Sequence, residues 1–263
     1  MKGALRWLGP GLVALACAVI GVFVASMVFP HPQQAATEAP VVVAVTTTAT
    51  AHPSAQPAPV SSPLGINLAA HSVDDPASMW VVVNKRRPLD PQDYVPRGLV
   101  TLTVPGGGQM TKLAAAALKD MYDAAKADGA PFRASTAYRS YNFQKGLFAQ
   151  YVAQSGVAKA ETFSARAGYS EHQTGLTVDV YDPTGCHLQE CYAKTASGAW
   201  LAKHAAEFGF IERYPKGYAE ITGYKWEPWH WRYVGVELAE FMRDQHIATL
   251  EEALGLPAAP DYD

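Results

Sequence analysis

The chain has 263 residues and a formal charge of −3, from 21 Lys and Arg against 24 Asp and Glu, a length that admits one or two domains. That balance lacks the clustered basic surface that nucleic-acid binding calls for, so no nucleic-acid partner is expected. Three cysteines are too few for a disulfide-framework mini-protein, and 49% hydrophobic residues exclude a wholly disordered or collagenous chain.

Charge is unevenly spread, for the stretch 1–65 holds only Lys2, Arg6 and Glu38. Gly11 to Phe29 carries no charge and consists almost entirely of Val, Ala, Leu, Ile, Phe and Gly. At 1.5 Å per residue such a run approaches the roughly 30 Å of a bilayer core. With Lys2 and Arg6 ahead of it, the positive-inside rule keeps the amino terminus cytoplasmic and places everything after Phe29 outside. A cleaved secretory signal is the competing reading, but its apolar region usually runs about 7–15 residues. This run is longer and lacks a clean A-x-A site, so 1–29 is read as a signal anchor, with Cys17 a membrane-buried thiol. The segment 30–65 is a linker: Pro30, Pro32, Pro40, Pro53, Pro57, Pro59 and Pro63 stand among Ala, Thr, Ser and Gln. It cannot bury enough apolar surface to offset its ordering entropy. As polyproline II it would reach on the order of 100 Å from the membrane.

The texture changes at about Ile66. Trp80 to Val83 reads as a strand, followed by turns through Pro88, Pro91 and Pro96. Thr111 is placed to cap a helix over Lys112 to Ala127 that stops near Gly129. Phe132 to Tyr138 is strand-like, and Ser140 can cap a second helix through Gln154 that ends at Gly156. Leu176 to Tyr181 alternates as a strand, and Ala199 to Phe208 forms a helix stopped by Gly209. Phe210 to Tyr214 and Trp229 to Val234 are strands, with Val236 to Asp244 a closing helix. Helices and strands mix without βαβ alternation. The expectation is therefore one α+β domain over 66–256, a small antiparallel sheet flanked by helices, with a tail at 257–263.

Two segments carry the chemistry. One is Ser170-Glu171-His172-Gln173-Thr174-Gly175-Leu176-Thr177-Val178-Asp179, the other Glu227-Pro228-Trp229-His230-Trp231-Arg232. Two imidazoles and a carboxylate form a ligand set for catalytic zinc that leaves a fourth position for water. Gly175 permits the tight turn that brings His172 and Asp179 to one point. His230 lies between Trp229 and Trp231, read as walls against solvent, and Glu227 precedes it by three positions. An acid near the metal but outside its shell is what a hydrolytic base requires. Read singly, His172 is a turn residue and His230 a core imidazole; read together in one exported domain, they point to a metal.

At these residues the chain resembles the VanY-type D-alanyl-D-alanine carboxypeptidases, within the group of zinc D,D-peptidases that includes phage endolysins and the dipeptidase VanX. The family pattern S-x-H-x-x-G-x-A-x-D matches Ser170 to Asp179, except that Thr177 replaces alanine and adds a hydroxyl beside the site. E-P-W-H matches Glu227 to His230. Further likeness lies in Val83-Asn84-Lys85 through Pro88-Leu89, in Tyr94-Val95-Pro96, in Tyr138-Arg139-Ser140 with Gln144, and in Thr222-Gly223-Tyr224. The resemblance runs from about Val81 to Phe241. It implies His172, Asp179 and His230 as Zn²⁺ ligands, Glu227 as general base and Arg139 as substrate clamp. For Arg139 the alternative is a surface salt bridge. Ser170 and Gln144 are candidates for substrate hydrogen bonds, against a turn cap and an exposed helix position.

Cys186 and Cys191 bracket a short loop, for which a disulfide is the default in an exported domain; a second zinc site with His187 is the alternative. The resemblance implies a zinc metallopeptidase of the bacterial cell envelope that removes the terminal D-alanine from peptidoglycan stem peptides, anchored through its amino terminus and monomeric. D,D and L,D specificity stay open. An endopeptidase and a non-catalytic peptidoglycan-binding domain are the other readings.

Overall fold

The computed structural model describes residues 66–262; the signal anchor, Cys17 and the linker expected within 1–65 lie outside them. Among the described residues no helix is long and apolar enough to cross a membrane. The first regular elements are β1 (Leu99–Thr101) and β2 (Gln109–Thr111), an antiparallel pair. Between them the chain turns through Pro105-Gly106-Gly107-Gly108. A Cβ on Gly106 would stand 1.9 Å from the Ala134 carbonyl oxygen, so this turn reaches its neighbour only as glycine. Helix α1 (Lys112–Ala127) buries Ala114, Leu118, Met121 and Ala125, the one-sided stripe of an amphipathic helix. Thr111 occupies its N-cap position, but the hydroxyl makes no cap bond and is buried without a partner. As the last residue of β2, its backbone N–H donates instead to Gly175 O at 2.9 Å.

Next come β3 (Arg133–Thr136), α2 (Tyr141–Ser155) and the single turn α3 (Val157–Ala160). The Ser140 hydroxyl caps α2 by accepting from Phe143 N at 3.3 Å, and Gly156 ends it at φ +80°. A 3₁₀ turn over Glu171–Thr174 leads into β4 (Thr177–Tyr181). Helix α4 (Ala196–His204) starts three residues earlier than expected. Its Thr195 hydroxyl accepts from Gly198 N, and it tightens to 3₁₀ before Gly209. Then follow β5 (Phe210–Glu212), α5 (Ala219–Thr222), β6 (His230–Tyr233), α6 (Val236–Asp244) and α7 (Leu250–Ala253). Helix α6 is thus not the last. The main sheet has the order β3-β4-β6-β5 and is antiparallel throughout, the α+β arrangement the alternation pattern implied.

Period-two alternation divides that sheet. Val178, Val180 and Trp231 point to one side and join Leu118, Met121 and Leu201 in the larger core. Asp179, His230 and Arg232 point to the other. The run Trp80 to Val83 is not a strand, although its side chains alternate: Trp80 and Val82 enter a second core with Val234 and Leu238, while Val81 and Val83 enter the first. The Arg232 guanidinium occupies the carbonyls of Met79 and Val81, at 3.0 and 2.8 Å, where a partner strand would have placed its N–H groups.

The segment expected as a tail is packed onto the domain. Ala259 N donates to Ile221 O and Lys85 Nζ to Pro260 O, while the Tyr262 hydroxyl accepts from Arg166 N, each at 2.8 Å. Cys186 and Cys191 are joined by a disulfide, and His187 faces the Ser135 hydroxyl at 2.7 Å. Chain entropy for so short a loop gives about 2 kcal/mol. Cys186→Ser is therefore expected to lower the unfolding free energy of the oxidised protein in urea by about that amount, and unchanged stability would show the bridge to be energetically idle.

Candidate functional site

The 3₁₀ turn carrying His172 ends at Gly175, which takes φ +68°. A Cβ there would meet Leu99 Cδ2 at 2.9 Å and Thr111 Cγ2 at 3.3 Å. From this left-handed residue the chain runs straight into β4, which returns Asp179 to the level of His172. On the neighbouring strand His230 lies directly opposite Asp179 in register, so the two side chains share a face by backbone pairing. One potential ligand atom from each of His172, Asp179 and His230 lies within 4.8 Å of the others, and all three residues are buried.

The ring orientations are fixed from behind. His172 Nδ1–H donates to Ala137 O at 2.8 Å, which leaves the Nε2 lone pair facing Asp179 Oδ2 at 3.2 Å. His230 Nδ1 stands 3.2 Å from Asp179 Oδ1, and the Tyr214 ring stacks on the imidazole at 4.6 Å between centroids. Burial, with Arg139 adding to it, pushes His172 down to about 4, so its imidazole is neutral at physiological pH. Burial would raise the Asp179 carboxyl, but His172 and His230 overcome that and hold it well below the usual carboxylate range. For His230 burial opposes charge, and the nearby carboxylates of Asp179 and Glu171 prevail, raising it to about 9. His172 Nε2 and Asp179 Oδ1 are buried without hydrogen-bond partners. An unpartnered Nε2 on His172 and an unpartnered Asp179 oxygen, with His230 Nδ1 3.2 Å from that oxygen and the His172 ring backed by a carbonyl, fit a divalent ion of the zinc type.

Glu227 sits beside this group. Its N–H donates to Tyr214 O at 3.0 Å, its own carbonyl accepts from His230 N at 3.0 Å, and Oε2 lies 3.8 Å from His230 Nδ1. Burial, and secondarily Asp179, raise the carboxyl to about 7 against the pull of His230. Arg139 is tied to the first motif through its N–H, which donates to His172 O at 3.1 Å. Its Nε is buried without a hydrogen-bond partner, so a surface salt bridge does not describe it. Burial lowers its pKa, while Asp179 and Glu227 act in the opposite direction.

Arg139, Ser170, His172, Asp179, Glu227 and His230 line one cleft of about 730 Å³. Ser170 makes no side-chain cap bond to the 3₁₀ turn that follows it, which leaves its place on the cleft wall as its distinguishing feature. Gln144 is not on that wall and is not an exposed helix residue. It is fully buried, and its amide donates to Ala165 O at 2.7 Å and to Ser164 Oγ at 3.3 Å; those two residues line the cleft. Trp229, just ahead of β6, lines it and also packs into the larger core, whereas Trp231, next to His230 on the strand, faces that core alone. The second ring over His230 is Tyr214 instead. Sequence reasoning passed over Tyr214, Glu171, Arg213 and Arg232. For Arg213 and Arg232 the available signal was a charge inside a short strand-like apolar run, where solvation is lost; Glu171 and Tyr214 carried none.

A family model described as VanY, D-alanyl-D-alanine carboxypeptidase, matches residues 107–236. YodJ of Bacillus subtilis (strain 168), a carboxypeptidase by name, is 41% identical over 189 residues, covering 69% of this chain and 68% of YodJ. The LdcB LD-carboxypeptidase structure is 41% identical with a TM-score of 0.64, over 68% of this chain and 87% of LdcB. A VanY D,D-pentapeptidase from a VanB-type resistance cassette, solved in complex with Zn(II), is 36% identical with a TM-score of 0.57, over 66% and 97% of the two chains.

Proposed function

The chain belongs to the VanY family of D-alanyl-D-alanine carboxypeptidases, and from that premise we propose that it is a zinc-dependent carboxypeptidase removing the terminal D-alanine of peptidoglycan stem peptides. The observation that carries the reading is the meeting of His172, Asp179 and His230 at the floor of a cleft that also holds Glu227 and Arg139. His172, Asp179 and His230 would hold the ion. When bound there, zinc supplies Lewis acidity toward the scissile carbonyl and toward water. Glu227, buried and poised near neutrality, accepts the proton of the attacking water and returns it to the departing amine. Arg139 presents a fork of donors to the carboxylate at the end of the substrate, in a site dry enough for charge-assisted bonds to be strong. Tyr214, packed against the His230 ring, keeps bulk water from it. The charge-free run 11–29 and the proline-rich 30–65 support export and a membrane tether, which would set the domain beside its polymeric substrate.

Specificity for a free chain end follows from Arg139. Amidating the terminal D-alanine is expected to lower kcat/KM by roughly tenfold to a hundredfold, at 1.4 kcal/mol per factor of ten. Arg139→Lys should recover little, since an ammonium cannot reproduce the fork. Mass spectrometry of products from defined tetrapeptide and pentapeptide stems reads both points. Release of one D-alanine from pentapeptide supports D,D cleavage. Release from tetrapeptide supports L,D cleavage, the second reading, which the likeness to LdcB favours. Equal rates on free and amidated stems, or fragments larger than one amino acid, would make the protein an endopeptidase.

A further inference from the structure

Behind His230 lies a set of charges with no contact to solvent. Glu171, Glu251, Arg213 and Arg232 are each at most 1% exposed. Glu171 Oε1 accepts from Arg213 Nε and from Arg232 Nη1, both at 2.8 Å. The other edge of Arg213 forks onto Glu251 at 2.9 and 2.7 Å, and Asn84 Nδ2 donates to the same carboxylate at 2.9 Å. Arg232 spends its remaining donors on the carbonyls of Met79, Val81 and Tyr233. One oxygen in this set is left over. Glu171 Oε2 has no hydrogen-bond partner; it stands 3.7 Å from His230 Nε2, which has none either.

Burying four charges is costly, and an apolar core of the same volume is often at least as stable. Stability alone therefore gives no reason for this arrangement. The two leftover atoms are complementary, one an acceptor and one a ring nitrogen, and the ring's other nitrogen faces Asp179 and the cleft. We propose that Glu171 is a positioning residue for His230: Oε2 accepts the Nε2 proton, which fixes the ring and leaves the Nδ1 lone pair free for the metal, while Arg213 and Arg232 hold the carboxylate in place. A hydrogen-bonded carboxylate behind a ligating imidazole orients the ring and raises its basicity. The inference rests on the metallopeptidase reading above.

Glu171→Gln separates this role from simple packing. With its amide oxygen on the two arginines, the variant turns an NH₂ toward His230 Nε2. That geometry favours the tautomer whose proton sits on Nδ1, the nitrogen needed for ligation. Zinc affinity, measured on the full chain by competition with a chromophoric chelator, is expected to weaken roughly 10–100-fold, and the visible spectrum of the cobalt-substituted protein should change. Glu251→Gln removes a comparable buried charge from Arg213 without touching His230, so it is expected to lower the melting temperature but leave zinc affinity within about twofold, well short of that range. Equal weakening by both variants would overturn the proposal, as would unchanged affinity in Glu171→Gln. Should Glu171→Gln fail to fold, ¹⁵N-histidine spectra of the zinc-loaded wild type decide: a slowly exchanging proton on His230 Nε2 is expected, and a proton on Nδ1 would overturn it. A wild-type chain that binds no zinc would instead remove the metallopeptidase reading itself.

Discussion

Glu227→Gln is expected to lower kcat by on the order of 10²–10⁴ and, at the same time, to make the metal-free protein more stable at neutral pH. The amide keeps the shape and removes the proton acceptor, so substrate binding and metal content should change little. The stability gain follows from burial, which raises the Glu227 carboxyl from 4.5 to about 7. A carboxyl whose folded pKa exceeds its unfolded value binds more protons when folded, so stability falls as pH rises from about 4.5 through about 7. Above that window the wild type carries the full penalty, on the order of 3 kcal/mol, and the glutamine variant carries none. Bound zinc draws the carboxyl down by its charge, placing the acid limb of kcat/KM below pH 7. Activity declines beneath that limb because a protonated Glu227 accepts nothing. Urea titrations of metal-free protein at pH 5 and pH 8, beside steady-state kinetics, check both halves. Near-normal kcat would remove Glu227 from the mechanism, and equal stability at pH 8 would show that its buried charge carries no penalty.

His172→Ala and His230→Ala should each abolish stoichiometric zinc and bring hydrolysis to background. Removing one of three protein ligands leaves two, below the number that catalytic zinc sites use. Loss of His172 also orphans the Ala137 carbonyl that its Nδ1–H satisfies, a further cost of about 1–3 kcal/mol. The folded state is retained, because the surrounding sheet is held by β3, β4, β5 and β6 pairing and not by the ligands. Elemental analysis after dialysis, with circular dichroism as the control for folding, measures this. Full zinc occupancy in both variants would refute the ligand assignment.

How much of this was readable beforehand depended on range. Helices α1 and α6 fall where the apolar stripe places them, and α2 starts where the Ser140 cap places it, because those signals act within one or two turns. The two motifs were likewise local, and each holds its metal candidates within ten residues. Trp80 to Val83 misled because β-branched alternation reports burial on two sides and does not report a backbone partner; here an arginine from β6 takes the carbonyls. Gln144 looked like a surface helix position because its partners, Ser164 and Ala165, lie beyond the helix. The meeting of the charges behind His230 was illegible for the same reason. Glu171 is 42 residues from Arg213 and 61 from Arg232, and no local pattern foretells such a meeting.

The register that sets Asp179 opposite His230 has a consequence for how this scaffold varies over evolutionary time. Their spacing is inherited from a backbone ladder, so insertions and substitutions at the rim leave it untouched. The more exposed part of the lining is made of different material: Leu188 in the disulfide-closed loop and Phe143 on α2. Lengthening or reshaping those segments alters what reaches the metal candidates without altering their spacing. Selectivity can therefore shift through change in those segments, while the pairing beneath keeps a single register.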